Sequence, residues 1–222
     1  MRALLIPVKD PVRAKTRLSN LLSTEERSRL AWAMFEDVSR VITETREPDR
    51  IILVSNYKPA IERARSLGWD VLVEESQESE SASIDWASRI LRERGFDSVM
   101  RLPADIPLIR AEDIDQVMKI EMVAPAALIV PSREGTGTNA IIRTPPDLFP
   151  SRFGPNSFSL HREEAAHVGV ECVIIENERI AFDVDDPSDI AFLLEHGRGT
   201  QAFRLLDKIN ATERMATIRQ ET

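Results

Sequence analysis

The chain has 222 residues, 42% of them hydrophobic and 30% charged, with a formal net charge of −8. The acid excess excludes general nucleic-acid binding, which needs a basic footprint, and no apolar run approaches the length that spans a bilayer. A single cysteine, Cys172, excludes an internal disulfide framework and a multi-thiolate zinc site. The apolar part of the N-terminal stretch is too short for a signal peptide. The expectation is one large domain over residues 1–222, soluble and cytoplasmic.

Short apolar runs alternate with segments of helical spacing. Residues 3–8 read as a strand, and residues 24–45 carry Leu30, Met34, Val38, Val41 and Ile42 at helical intervals. Residues 50–54 form a continuous apolar strand, 60–67 a short helix stopped by Gly68, and 70–73 a further strand. The run 74–80, rich in Glu and Ser, reads as a solvated loop. A helix over 84–94 stops at Gly95, and the strand 98–102 runs into Pro103-Ala-Asp105-Ile-Pro107. Beyond it come a helix from Ala111, strands over 127–130 and 140–143, and a Pro-rich stretch over 144–150. A helix ending near His167, a strand over 170–175 and a helical tail from Ser188, broken at Gly197-Arg-Gly199, complete the chain. This alternation predicts an α/β fold with a central, mostly parallel sheet and helices on both faces. Right-handed crossovers then place the loops after the first strand, after Val54 and around Asp105 on one crevice.

Candidate chemistry concentrates in those loops. Proline restricts both itself and the residue before it, so Asp105 sits between two rigid corners. Its carboxylate either holds a metal or caps the helix that starts near Ala111. Asp183-Val-Asp185-Asp186-Pro187-Ser188 is a second strand end running into a helix. Asp186 or Ser188 suits a cap, whereas Asp185 or Asp183, paired with Asp105, forms a carboxylate clamp for Mg²⁺.

Positive charge is gathered in one place. Between residues 2 and 17 lie Arg2, Lys9, Arg13, Lys15 and Arg17 against a lone acid, Asp10. An acidic protein that collects basic groups in one loop focuses them on an anion, and a polyphosphate fits the tip of a parallel sheet. The loop after the first strand has no glycine, so side chains must do the gripping; the plain alternative is a solvated basic turn. A third cluster joins Gly135-Thr-Gly-Thr-Asn139 to Arg152-Phe-Gly-Pro-Asn-Ser157. Its glycines allow close backbone approach, Thr138, Asn139 and Ser157 supply neutral donors, and the helix opening at Ser157 suits a phosphate or carboxylate. His161, His167 and His196 are too dispersed for a metal triad, and no Ser-His-Asp or Cys-His arrangement is signalled. A reaction whose nucleophile is already an anion needs neither, as in transfer to a phosphate acceptor.

Six motifs in order, IPVKDPVRAKTRLS, LPADIPLI, GTGTNAI, RFGPNSFSLH, FDVDDPSDI and LLEHGRGT, cover nearly the whole length. With them the chain resembles the phospholactate guanylyltransferase family of coenzyme F-420 biosynthesis. The resemblance implies a Rossmann-like nucleotidyltransferase fold and transfer of GMP from GTP to a small phosphorylated carboxylic acid. The acid is 2-phospho-L-lactate, phosphoenolpyruvate or 3-phospho-D-glycerate across that family. It implies further that Asp105 and an acid of the Asp183–Asp185 pair, Asp185 first, hold Mg²⁺. Lys15 with Lys9, Arg13 and Arg17 meets the triphosphate, and Thr138, Gly154 and Ser157 bind the acceptor, with Asn139 beside them. Where relatives carry Leu-Asn, this chain has Ile84-Asp85-Trp86. Asp85, or an acid of the 74–80 loop, is the candidate for accepting from guanine N1–H and its N2 amine; a surface Asp near a helix start is the alternative. A nucleotide-sugar transferase of the same fold and a non-catalytic nucleotide sensor are the rival readings. The Pro-rich segment and the tail are candidate homodimer surfaces.

Overall fold

The structure is a computed structural model that describes residues 1–220, without the side chains of Arg13, Arg219 and Gln220. Seven strands form one sheet: β1 (Arg2–Pro7), β2 (Arg50–Ser55), β3 (Asp70–Val73), β4 (Ser98–Arg101), β5 (Ala126–Pro131), β6 (Thr138–Thr144) and β7 (Cys172–Ile174). Their order is β3-β2-β1-β4-β6-β5-β7, with β6 antiparallel to both neighbours and the other pairings parallel. The mostly parallel sheet expected from the sequence is therefore present. The reversal at β6 follows from its short link to β5, because a parallel return needs a crossover of a dozen or more residues.

Helices α1 (Thr24–Ile42), α2 (Lys58–Ser66), α3 (Glu80–Glu93), α4 (Ala111–Met118) and α5 (Ser157–His167) flank this sheet. Side chains alternate across a strand, so β1 sends Leu4 and Ile6 to one face and Ala3 and Leu5 to the other. The first pair packs with Phe35, Val38 and Ile42 of α1 and Ile114 and Val117 of α4. The second packs with Ile84, Ala87 and Leu91 of α3. Both faces are dry, which is why β1 reads as an unbroken apolar run.

Short helices α6 (Glu178–Ala181), α7 (Pro187–His196), α8 (Gln201–Lys208) and α9 (Ala211–Gln220) end the described chain. Ala202, Leu206 and Ala211 pack on Leu22, Leu30 and Met34, so the tail covers the outer side of α1 with its own apolar face. Helix α3 starts earlier than expected, at Glu80, because Ser79 accepts from Ala82 N and caps it. Among the described residues no helix is long and apolar enough to cross a membrane.

Candidate active site

The carboxyl ends of β1 and β4 and the start of β6 meet at one edge of the sheet, as their registers require. Asp105 projects there from the proline-bounded turn that follows β4. Its carbonyl accepts from Val184 N at 3.1 Å, which pins the segment carrying Asp183 and Asp185 against the Asp105 turn. Asp186 caps α7. Buried Asp189 accepts from the backbone N–H groups of Asp185 and Asp186 at 2.9 and 3.0 Å and so sets where Asp185 stands.

The consequence is a cluster of three carboxylates. Asp105, Asp183 and Asp185 each offer an oxygen within 4.8 Å of the others, although the sequence separates Asp105 from the other two. One oxygen of Asp105 is buried with no hydrogen-bond partner among the described residues. Burial and the neighbouring charge of Asp105 push the Asp183 carboxyl up to about 6, against a donated hydrogen bond from Asn139. Crowded, hard oxygen ligands with an unsatisfied buried atom form a donor set that fits a divalent cation.

The basic loop reaches the same point. Lys15 adopts a left-handed backbone, φ 53° and ψ 44°, unusual for a residue with a side chain. Its ammonium donates to Asp105 at 2.5 Å and to Asp185 at 2.8 Å, with the side chain only 7% exposed. Burial opposes that charge, but the pull of Asp105 and Asp185 outweighs it and holds the ammonium above its ordinary pKa. Asp105 is correspondingly held below its ordinary value despite burial, with Lys15 the main stabilising neighbour. Arg17 stands further out, 3.8 Å from Asp185 and 71% exposed. Lys9 is exposed on the rim of an adjoining cavity that Lys15, Arg101, Asp105 and Asp185 also line. The side chain of Arg13 lies outside the described set.

A second cavity opens on the other side of the acids, lined by Thr138, Gly154, Ser157, Asp183 and Asp185 among others. Ser157 Oγ accepts from Thr138 N at 2.9 Å, joining the two loops that the sequence presented separately. Gly154, at φ +125°, has open space where a Cβ would stand, and Gly137 comes so close to Ser132 that a Cβ would lie 2.9 Å from its hydroxyl. Asn139 is less free. Its amide hydrogens go to Ile180 O and Asp183 Oδ1 at 2.9 and 3.1 Å, so its side chain steadies the acid cluster.

Asp85 is not brought to this edge. Both its oxygens accept from Ser151 N, and one also takes Arg143, a guanidinium 1% exposed, at 3.1 Å. The wall between the cavities is instead built by Arg101, which pairs with Glu80, donates to Asn139 O at 3.0 Å and stacks on Phe153 at 4.2 Å. The sequence marks Arg101 only as a charge closing a short apolar run; the structure shows that the strand carrying it is fully buried.

A parallel-sheet edge carrying acids, a buried lysine and two flanking cavities defines a nucleotidyltransferase. The fold is shared with a solved protein from Desulfovibrio desulfuricans described as a nucleotide-diphospho-sugar transferase, at TM-score 0.78 and 17% identity over 96% of this chain and 97% of that one. The chain belongs to the family described as guanylyl transferase CofC like, which matches residues 1–220. It is 34% identical over 87% of its length to a phosphoenolpyruvate guanylyltransferase of Rubrobacter xylanophilus, covering 93% of that protein. It is 33% identical over 94% of its length to a 2-phospho-L-lactate guanylyltransferase of Methanothermobacter thermautotrophicus, covering 91% of that protein.

Proposed function

We propose that this chain transfers GMP from GTP to a small phosphorylated carboxylic acid and releases pyrophosphate, a step of coenzyme F-420 biosynthesis. The observation that carries the reading is the convergence of Asp105, Asp183, Asp185 and Lys15 between two cavities. A phosphate oxygen of the acceptor attacks the α-phosphorus of GTP in line. A new P–O bond forms as the bond to the β-phosphate breaks, and the electron pair leaves with pyrophosphate. No side-chain base is needed, because the nucleophile enters as an anion.

Asp105 and Asp185, with Asp183 beside them, would hold Mg²⁺, which when bound offsets charge on the α-phosphate. Lys15 turns its ammonium to the triphosphate, and Arg17, Lys9 and Arg13 extend that positive surface to the departing pyrophosphate. Thr138, Gly154 and Ser157 take the acceptor in the second cavity. Asn139 keeps Asp183 in place. The two relatives above match this chain almost equally well yet carry different acceptor names, so overall similarity does not choose the acid.

The test is incubation with GTP, Mg²⁺ and, separately, 2-phospho-L-lactate, phosphoenolpyruvate and 3-phosphoglycerate, with pyrophosphate release as the readout. Acceptor-dependent release supports the proposal. Release with none of the three, despite GTP binding, would establish the sensor reading. Turnover of a nucleotide-sugar alone would establish the transferase rival.

A further inference from the structure

His161 belongs to neither the acid cluster nor the basic loop, yet it is fully buried beside the second cavity. Its two ring nitrogens have different partners. Arg152 N, which can only donate, lies 2.8 Å from Nε2, so that nitrogen must be the bare acceptor. A neutral imidazole carries its hydrogen on the other nitrogen. Nδ1 therefore donates to Thr138 Oγ1, 3.0 Å away.

That assignment has a consequence for the hydroxyl. Thr138 Oγ1 already accepts from the ring, and no group among the described residues takes its own proton. Ser157 Oγ is in the same condition, since it accepts from Thr138 N. Two hydroxyls lining one cavity thus have an acceptor lone pair occupied by the protein and a proton left for a ligand. Such a pair suits an anionic oxygen, and a carboxylate or phosphate oxygen is the class it would take.

We propose that His161 is a positioning residue for acceptor recognition: locked as the Nδ1–H tautomer by Arg152 N, it orients the Thr138 hydroxyl to donate to the acceptor's anionic group. This rests on the transferase reading above. The same ring packs edge-on against Phe153, with centroids 4.8 Å apart, and so ties the loop at 152–157 to the start of β6. Burial, with Arg143 and Arg101 nearby, outweighs a contact with the Ser157 backbone that favours the protonated ring and pushes the imidazole down to about 3, which keeps the neutral form throughout ordinary assay conditions. The sequence signal was there, a lone histidine four positions beyond Ser157, but nothing in its spacing linked it to Thr138.

Two substitutions separate the ring's two bonds. In His161→Asn the amide nitrogen falls near the Nδ1 position and keeps the donor to Thr138. In His161→Gln the amide oxygen reaches the Nε2 position and keeps the acceptor for Arg152 N but loses that donor. The KM for the acceptor is expected to rise about tenfold in His161→Gln and to stay within about threefold in His161→Asn, with the KM for GTP unchanged in both. On a Thr138→Val background the Gln substitution should add nothing further. Equal changes in the two variants, or none in either, would overturn the proposal. Independently of folding of the variants, ¹⁵N NMR of the wild-type imidazole should show a protonated Nδ1 and a bare Nε2; the opposite tautomer would overturn it equally. Wild-type protein that shows this tautomer but transfers GMP to no phosphoacid would refute the transferase reading alone.

Discussion

Lys15 and Asp105, 90 positions apart, form a direct ion pair at 2.5 Å, and the same ammonium reaches Asp185. A buried cation among three carboxylates offsets repulsion that the fold would otherwise have to bear. Lysine presents this charge on a flexible stem, so in the reaction proposed above it would turn from the acids to phosphate without moving the backbone.

Asp105→Ala removes an acid that, with Asp185, lines both cavities and holds the Lys15 ammonium. A unit charge about 4 Å away is worth ~4 kcal/mol at an effective dielectric near 20, which corresponds to about 10³-fold in rate. Pyrophosphate release should fall by at least that factor while far-ultraviolet circular dichroism stays unchanged. Retention of activity within about tenfold would remove Asp105 from the mechanism.

Lys15→Met leaves Asp105, Asp183 and Asp185 without their ammonium. The variant is expected to melt several degrees below wild type in EDTA and to gain more from millimolar Mg²⁺ than wild type does. An equal Mg²⁺ gain in the two proteins would mean that lysine and metal do not share the same acids. Turnover should also fall by about 10³-fold, on the same charge argument.

Asp85→Ala should act on stability and not on nucleotide choice. It strands Arg143, whose guanidinium is almost wholly buried. Removing one partner of such a pair costs about 3 kcal/mol, or roughly 6–12 °C in Tm for a chain of this size. The GTP-over-ATP preference should be unchanged in a nucleotide competition assay. A shift in preference without a loss of Tm would return Asp85 to base recognition.

Glu26 clasps the tail. It accepts from Arg214 Nη1 at 3.0 Å, and this bond, with that from Ser23 N, holds its carboxyl at about 2, below the ordinary 4.5. The folded state therefore prefers the ionised acid. The contribution is fully present above pH 4.5 and is lost as pH falls towards 2. Hydrogen exchange in α9 should accelerate several-fold at neutral pH in Glu26→Gln, and in wild type only as pH drops through that window after correction for intrinsic rates. No difference between the two at neutral pH would show that other contacts hold the helix.

Much of this molecule is written locally. The apolar run of β1, the periodicity of α1, the prolines around Asp105 and the Asp186 cap each act over a few residues, so composition and spacing reveal them. The six motifs also carried the family. What local pattern does not carry is direction and partnership. Nothing in residues 138–144 announces a strand that runs against its neighbours, yet that reversal delivers Thr138 to the edge where Arg101 ends. Asp85 looked like a ligand group, yet from helix α3 it became the counter-ion of a buried arginine on strand β6. His161 looked idle and became the link between Thr138 and the Arg152 loop. The sequence by itself determined the elements, the acids and the basic loop, because those depend on near neighbours along the chain. Only the tertiary structure decided which charged groups face each other, since that depends on strand order and burial, which bring together residues the chain keeps far apart.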